Sequence, residues 1–143
     1  MVLPNVSIVV IGLNEEKNLH DTFTAILKMD YPQDRIELIY IDTGSKDKSV
    51  EIAKMYTSKV YLETGDWPSS GLARNRGIRE SKYEIIHFID GDIAISGGYL
   101  LEAVNRISFS GVEAVTGYFV EKHPDKFFNR VLNIRRDDII HKE

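Results

Sequence analysis

Residues 85–92 read Ile-Ile-His-Phe-Ile-Asp-Gly-Asp, a mainly apolar run followed directly by two carboxylates. A run of this length before an Asp-Gly turn predicts a buried β-strand, in which His87 is expected to be a core histidine with satisfied hydrogen bonds. Two unit charges about 4 Å apart repel by about 4 kcal/mol at an effective dielectric near 20, so a cation is the usual reason to pair Asp90 with Asp92. Magnesium and manganese suit such a pair because both are hard cations that bind oxygen. The alternative is an ordinary turn with two solvated acids.

Apolar runs and helical patterns alternate along the chain. Runs of strand length predict β-strands at residues 6–11, 36–41, 60–62, 84–89 and 112–120. Helical spacing and capping residues predict helices after Asn14 and over residues 47–56, 71–81, 100–107 and 127–134. Because nearly continuous apolar strands alternate with helices, the pattern predicts an α/β fold with a mainly parallel sheet covered on both faces.

Composition is typical of a globular protein. The 143 residues suffice for one domain, 1–143, and the net charge of −4 argues against a partner such as duplex nucleic acid, whose binders usually carry a basic face. The absence of cysteine excludes disulfides, thiolate metal sites and cysteine nucleophiles. The apolar run at residues 6–11 is too short to span a bilayer and lacks a basic segment before it, so we expect a cytoplasmic protein.

The carboxyl ends of three predicted strands should meet at one edge of the sheet, where open α/β folds bind ligands. After the first strand, Asn14 can cap the next helix and leave backbone amides that attract anions, or it can start a helix that binds nothing. After the second, Asp42 can accept hydrogen bonds from a nucleobase or a ribose, form an ordinary turn, or act as a response-regulator phosphoacceptor. The third segment is residues 90–92.

The predicted helix over residues 71–81 combines arginines with small residues. Arg74 and Arg76 can offset the charge of a diphosphate if they face the ligand edge, or they can lie on a solvated face. Small residues at Gly71, Ala73 and Gly77 would let the helix approach its neighbours closely. That packing role needs no ligand.

Taken in order, four segments resemble the amino-terminal half of a family 2 glycosyltransferase with the GT-A fold. The family's opening strand with its Asn-Glu turn is similar to residues 6–15, and its Asp-x-Gly-Ser segment is similar to residues 42–45. Its Ala-Arg-Asn-x-Gly helix is similar to residues 73–77, and its Asp-x-Asp after an apolar strand is similar to residues 90–92. The order and spacing of these segments extend the resemblance over residues 6–120.

The resemblance implies a GT-A fold, a Rossmann-like three-layer sandwich that stops after the donor-binding half. It also implies transfer of a sugar from a UDP- or GDP-sugar to a carbohydrate or lipid-linked acceptor, with Mn²⁺ or Mg²⁺ as the cofactor. Carried over by position, Asp42 would hold the base, Asp92 would coordinate the metal, and Asp90 would contact the ribose or share the metal. Arg74 would lie near the diphosphate.

Two departures from the family pattern bear on the predicted site. Many members carry Pro and Tyr in the first loop, where the aromatic ring stacks on the base, whereas here Leu13 precedes Asn14 and Glu15. These three residues are expected to line the nucleotide pocket, with Leu13 packing on the base without stacking. The general base of inverting members lies beyond the matched region, so no catalytic residue is assigned.

The segment over residues 127–134 carries apolar side chains at helical spacing and needs a surface to cover. It can fold back on the sheet, pair with a second copy of the chain, or remain mobile. If the native protein continues beyond Glu143, further regions can associate it with a membrane.

Three other functions remain as alternatives. A nucleotidyltransferase would need a glycine-rich basic loop after the first strand, where this chain has an acidic one. A response regulator would use Asp42 as phosphoacceptor but would leave Asp90 and Asp92 without a role. A non-catalytic nucleotide-binding module would bind the donor and transfer nothing.

Overall fold

Strands and helices alternate over the part of the chain that the computed structural model describes, residues 2–63, 65, 69–110 and 112–117. The strands are β1 (Val6–Gly12), β2 (Ile36–Asp42), β3 (Val60–Leu62) and β4 (Ile85–Asp90). The helices are α1 (Leu19–Leu27), α2 (Ser49–Lys54), α3 (Ser70–Glu80) and α4 (Tyr99–Ser110), with a short 3-10 turn at Gln33–Arg35. None of these helices is long and apolar enough to cross a membrane.

The strands form one parallel sheet in the order β3-β2-β1-β4. Strand β1 pairs with β2 on one side and β4 on the other, so the direction of winding reverses between β1 and β4. In open α/β sheets the ligand crevice lies at such a reversal, outside the carboxyl ends of the strands. The register places Gly12 opposite Asp42 and Ile11 opposite Asp90, which brings the three predicted edge segments level.

Helices cover both faces of the sheet, as the sequence predicts. Val6, Ile8 and Val10 point to the face that carries α1, α2 and α4, where they join buried residues of all three helices. Val9 and Ile11 point to the opposite face and pack with the smaller cluster around α3. Because successive side chains of a strand alternate between faces, a nearly continuous apolar strand is what a covered sheet requires.

Small residues bring α3 close to the sheet. Ala73 is fully buried against this face, and a Cβ atom added to Gly77 would lie 2.5 Å from Val9 Cγ1. Gly77 therefore marks a close approach of the helix to β1, and the predicted packing role is confirmed for Ala73 and Gly77. It is wrong for Gly71, which is exposed at the start of the helix.

Two local predictions are wrong. Asn14 does not cap α1, which begins at Leu19 after an N-cap at Asn18. The fifth strand predicted over residues 112–120 is not formed by residues 112–117, where Val112 is 42% exposed. An alternating apolar pattern forms a strand only where a partner strand is present, and among the described residues β4 pairs with β1 alone. Residues 118–120 and the helix predicted over residues 127–134 lie outside the described residues.

His87 is half-buried on β4 and belongs to neither core cluster, so the prediction of a core histidine is only partly met. Its ring packs beside that of Tyr99, with 5.3 Å between the ring centroids. Burial lowers the pKa of His87 to about 4, so the ring is neutral at pH 7. Its Nε2 atom is buried without a hydrogen-bond partner among the described residues, which contradicts the prediction of a satisfied histidine.

A buried carboxylate ties the amino ends of the strands together, at the edge opposite the predicted site. Glu37 on β2 accepts hydrogen bonds from the Ser7 hydroxyl, the Lys59 ammonium and the Lys82 amide. Burial alone would raise the pKa of Glu37, but these hydrogen bonds, that from Lys59 foremost, together hold it below its ordinary value. The cluster fixes β2 to β1 and to the loop that precedes β4.

The replacement Gly77→Ala should lower the free energy of unfolding by about 1–3 kcal/mol, because the added methyl group would overlap Val9. In a denaturation experiment, Gly71→Ala on the same helix serves as the control. A Cβ there meets only Ser69 Oγ at 3.7 Å, so better helix propensity should leave stability unchanged or slightly higher. Equal effects of the two variants would contradict the close approach.

The replacement Glu37→Gln should lower the free energy of unfolding by about 1–3 kcal/mol at pH 7, because it weakens charge-assisted hydrogen bonds to a buried group. The pKa of Glu37 is depressed in the folded protein, so its contribution is complete above the ordinary value of 4.5 and is lost as the pH falls below it. Urea titrations of both proteins between pH 7 and pH 3 should therefore converge. Exposed Glu84→Gln controls for the lost charge, and a constant difference between wild type and Glu37→Gln would refute this account.

Candidate functional site

The predicted edge segments meet at the carboxyl ends of β1, β2 and β4. The Thr43 amide donates to the Gly12 carbonyl at 3.1 Å, which extends the pairing of β1 and β2 into the loops. On the other side of β1, the Gly91 amide donates to the Ile11 carbonyl at 2.7 Å. Backbone hydrogen bonds thus hold all three segments in one surface at the reversal point of the sheet.

Hydrogen bonds link the loop after β1 to the loop after β2. The backbone amides of the first loop are therefore not exposed, although the sequence predicts that they are. Side chains of the second loop accept from successive amides of the first: Asn14 N to Ser45 Oγ at 2.8 Å, Glu15 N to Ser49 Oγ at 2.8 Å and Glu16 N to Asp47 Oδ2 at 3.0 Å. Side chains of the first loop accept in return: Lys46 N donates to Asn14 Oδ1 at 2.8 Å and Lys48 N to Glu16 Oε2 at 3.1 Å. These amides already have acceptors, so the prediction that they are exposed is wrong, while the role of Asn14 at a nucleotide stays a prediction.

Asn14 adopts a left-handed backbone conformation, with φ of 56°. Few residues other than glycine tolerate this region, and asparagine is among them. The conformation lets Asn14 face the second loop through its amide and its side chain at once. Leu13 beside it is 49% exposed, so an apolar side chain is available at this edge of the sheet.

Asp42 organises the turn after β2. Only 1% of the residue is exposed. Its Oδ2 atom accepts from the amides of Gly44 and Ser45 at 2.9 and 2.8 Å. Its Oδ1 atom accepts from the hydroxyl groups of Ser45 at 2.5 Å and Tyr40 at 3.2 Å. A carboxylate held this way is not an accessible phosphoacceptor, which argues against a response regulator.

Tyr40 lies beneath Asp42 in the core. Burial, followed by the neighbouring carboxylate, raises the pKa of Tyr40 far above its ordinary value. The phenol is therefore neutral and acts as a hydrogen-bond donor to Asp42.

Arg74 reaches the ligand edge and pairs with Asp90, with 3.0 Å between Nη2 and Oδ1. Both side chains are partly exposed, at 39% and 48%, so solvent and ligands can reach the pair. Arg76 points elsewhere: it pairs with Glu80 at 2.9 Å and lies over the ring of Tyr61. Of the two arginines left open by the sequence, Arg74 therefore belongs to the edge.

Asp92 is exposed beside this ion pair, and Glu15 lies next to the same turn. The Glu15 Cγ atom would be 3.2 Å from a Cβ added to Gly91, and its Oε2 atom accepts from Asn18 Nδ2 at 2.9 Å. The structure thus brings Glu15, Asp90, Asp92 and Arg74 to one surface. Asp42 lies behind it, in the adjoining turn.

Among the described residues, no cluster of three or more His, Asp or Glu side chains could hold a metal ion. The described residues therefore place no more than two carboxylates together as possible ligands, and Asp90 and Asp92 are the pair that the sequence predicts. Such a donor set still suits Mg²⁺ or Mn²⁺, which commonly use one or two carboxylates and fill other positions with water and substrate phosphates. Arg74 already offsets part of the negative charge of Asp90, so a metal ion bound there would compete with this ion pair.

Sequence reasoning missed the residues that support the edge. The sequence places three of them only in a turn and a helix start: Ser45, Asp47 and Ser49. In the structure their side chains accept hydrogen bonds from the backbone amides of the first loop. Thr22, buried in α1, donates its hydroxyl proton to the Gly91 carbonyl at 2.9 Å. A threonine on the apolar stripe of α1 is the sequence signal that could have identified it, because a buried hydroxyl needs a partner.

Known proteins are similar to this chain in both sequence and fold. The glycosyl transferase family 2 model matches residues 7–141. Glycosyltransferase AglE of Haloferax volcanii is 31% identical over 128 residues, which cover 86% of this chain and 42% of that protein.

Two solved structures are similar at lower identity. One is TarS 1–349 of Staphylococcus aureus in complex with UDP, with a TM-score of 0.65 at 22% identity. The match covers 82% of this chain and 38% of the TarS chain. A mannosyltransferase from Pyrobaculum calidifontis, in complex with GDP-Man and Mn²⁺, gives 0.65 at 21% identity and covers 90% of this chain and 39% of its own. The chain thus spans less than half the length of these proteins.

The family match covers most of the chain and includes every strand and helix described above. The fold agrees with that of the solved structures. The chain therefore belongs to glycosyl transferase family 2 and has the GT-A fold.

Proposed function

We propose that this chain is the donor-binding part of an enzyme that transfers a sugar from a nucleotide diphosphate sugar to an acceptor hydroxyl, assisted by a divalent metal. The observation that carries the proposal is the surface at the sheet reversal, where Asp90, Asp92 and Arg74 lie together. Membership of glycosyl transferase family 2 supports the reaction class. On this view residues 1–143 form one nucleotide-sugar-binding domain.

The proposed donor is a UDP- or GDP-sugar. TarS has been solved with UDP and with UDP-GlcNAc, and the mannosyltransferase has been solved with GDP-Man and Mn²⁺. These ligands support a nucleotide diphosphate sugar with Mn²⁺ or Mg²⁺ as cofactor. The proposed acceptor is a carbohydrate or a lipid-linked sugar, and the proposed location is the cytoplasm, which fits a chain without cysteine.

Asp92, with Asp90, would hold the metal, and Arg74 would bind the diphosphate. The metal would act as a Lewis acid that stabilises the departing nucleoside diphosphate. Arg74 is placed to leave Asp90 and form forked hydrogen bonds with phosphate oxygens once a cation neutralises the carboxylates. This exchange keeps each charged group paired in both states.

The base would bind between the first two loops, near Leu13, Asn14 and Glu15. Asp42 could accept from a base N–H only at Oδ1, where its present donors are the hydroxyl groups of Ser45 and Tyr40. The Ser45 side chain can rotate away if it gives up the hydrogen bond that it accepts from the Asn14 amide, whereas the amides that hold Oδ2 are fixed by the turn. We therefore propose that base binding replaces the Ser45 hydroxyl at Asp42.

Transfer itself would depend on orientation and charge stabilisation. The described residues hold the donor at fixed strand ends, where binding can align the anomeric carbon with an acceptor. Arg74 would stabilise the negative charge that develops on the leaving diphosphate. No general base is assigned within this chain.

Calorimetric titration with UDP and with GDP, each with and without Mn²⁺, tests the proposal. Saturable binding that requires Mn²⁺ is the expected result, and the preferred nucleotide identifies the base. Binding of neither nucleotide would contradict a donor site in this chain. Binding without any turnover of a UDP- or GDP-sugar would favour the non-catalytic module.

The replacement Asp92→Asn should weaken Mn²⁺-dependent nucleotide binding by about 100-fold or more, because an amide is a poor substitute for a carboxylate ligand. Asp92 is exposed, so the circular dichroism spectrum and the melting temperature should not change. Asp34→Asn makes the same change at an exposed site near the amino end of β2 and should not alter binding. Unchanged affinity in Asp92→Asn would remove Asp92 from the metal site.

The replacement Arg74→Ala should move two affinities in opposite directions. Loss of the cation beside Asp90 should tighten binding of Mn²⁺ alone by about 2- to 5-fold, as expected for an exposed ion pair. Loss of the phosphate ligand should weaken binding of UDP in saturating Mn²⁺ by about 10-fold. Arg79→Ala, on the same helix, is the control, and a shift of both affinities in the same direction would refute the exchange.

A further inference from the structure

The turn between Asp90 and Asp92 is held at both backbone groups of Gly91. Its amide donates to the Ile11 carbonyl at 2.7 Å, and its carbonyl accepts from the Thr22 hydroxyl at 2.9 Å. Gly91 itself is buried, whereas Asp92 is exposed. A buried backbone turn thus carries a solvent-facing carboxylate.

Thr22 is well placed to hold this turn rigidly. It is 1% exposed on the buried stripe of α1, which it shares with Leu19, Phe23 and Ile26. Its single hydroxyl proton has two acceptors within reach, the Gly91 carbonyl at 2.9 Å and the Asn18 carbonyl at 3.3 Å. The shorter distance favours Gly91, since Asn18 already accepts from the Thr22 amide within the helix.

The space beside Gly91 suits a residue without a side chain. A Cβ atom there would lie 3.2 Å from each of Glu15 Cγ, the Ile11 carbonyl oxygen and Leu19 Cδ1. The turn therefore packs closely against β1 and α1. The Thr22 hydrogen bond also opposes rotation of the peptide plane between Gly91 and Asp92.

That peptide plane sets the position of Asp92. The Gly91 carbonyl and the Asp92 amide belong to one planar unit, so fixing the carbonyl direction fixes the path of the chain into Asp92. We propose that Thr22 is a positioning residue for the metal-binding carboxylates and that it acts through the Gly91 carbonyl. The proposal rests on the proposed function, since it assigns the hydrogen bond a purpose at the metal site.

The experiment compares Thr22→Val with wild type. Valine keeps the shape of threonine but lacks the hydroxyl, and Thr24→Val makes the same change two residues away on α1, at a side chain with more exposure. One readout needs no ligand: hydrogen exchange of the Gly91 amide, followed by NMR. The second is the affinity for UDP with and without Mn²⁺.

In Thr22→Val the Gly91 amide should exchange about 10-fold faster, and core amides of β1 such as that of Val9 should keep their rates. Affinity for UDP in the presence of Mn²⁺ should fall about 10-fold, as is usual when a group that orients a metal ligand is lost. Affinity without metal should not change. Thr24→Val should match wild type in every measurement.

A second pair of variants covers the case in which valine disturbs folding. Thr22→Ser and Thr22→Ala both lose the methyl group, and only serine keeps the hydroxyl. Serine should restore the exchange rate and the Mn²⁺ dependence, whereas alanine should not. Equal behaviour of the two would overturn the role of the hydroxyl.

The two proposals fail in different ways. If wild type binds UDP with Mn²⁺ and Thr22→Val binds it equally well, the role of Thr22 is overturned and the donor site stands. If wild type shows no Mn²⁺-dependent binding, the proposed function fails and the metal-directed role of Thr22 fails with it. The exchange rate of Gly91 then decides separately whether Thr22 holds the turn.

Discussion

The pairing of β1 with two neighbours is the constraint on which the rest of this structure depends. Its register sets Gly12 level with Asp42 and Ile11 level with Asp90. A shift of one residue on either side would turn every buried side chain of the shifted strand to the other face, so the core itself enforces the register. The positions of the side chains at the edge are therefore fixed by core residues such as Ile8 and Val9, which do not lie at the edge themselves.

Hydrogen bonds hold the two loops at this edge in a fixed arrangement. Backbone amides after β1 bind side chains after β2, and Asp42 turns its carboxylate inward to receive two amides of its own turn. These bonds remove an anion site that a bare helix start would offer. They also leave the side chains of Asp90, Asp92 and Arg74 available to contact a polar ligand at the edge. On the proposed function, side chains and a cation would recognise the phosphates, while the backbone would support the loops.

The sequence predicts those features that depend on local pattern. Continuous apolar runs identify β1, β2 and β4, and parallel pairing then brings Asp42 and Asp90 to one edge without further information. Asn14 shows where local reasoning stops. Its cap-like position suggests a helix start, but its partner is Lys46, and a bond across 32 positions of the sequence has no local signature. Among the described residues, His87 Nε2 has no hydrogen-bond partner and residues 112–117 form no strand. Both outcomes depend on which neighbours are present, which the local sequence does not show.

Charge explains why this edge needs a metal if it is to bind a diphosphate. The chain carries a net charge of −4, and Glu15, Asp90 and Asp92 lie at the surface in question. Arg74 alone offsets one of these carboxylates, so a diphosphate brought here would meet uncompensated negative charge. A divalent cation held by Asp92 and shared with Asp90 would reverse the sign of the local field and release Arg74 toward the phosphates. The metal and Arg74 would therefore balance the charge together. Without the metal, Arg74 could pair with Asp90 or with the diphosphate but not with both. Without Arg74, part of the charge of the diphosphate would stay unpaired.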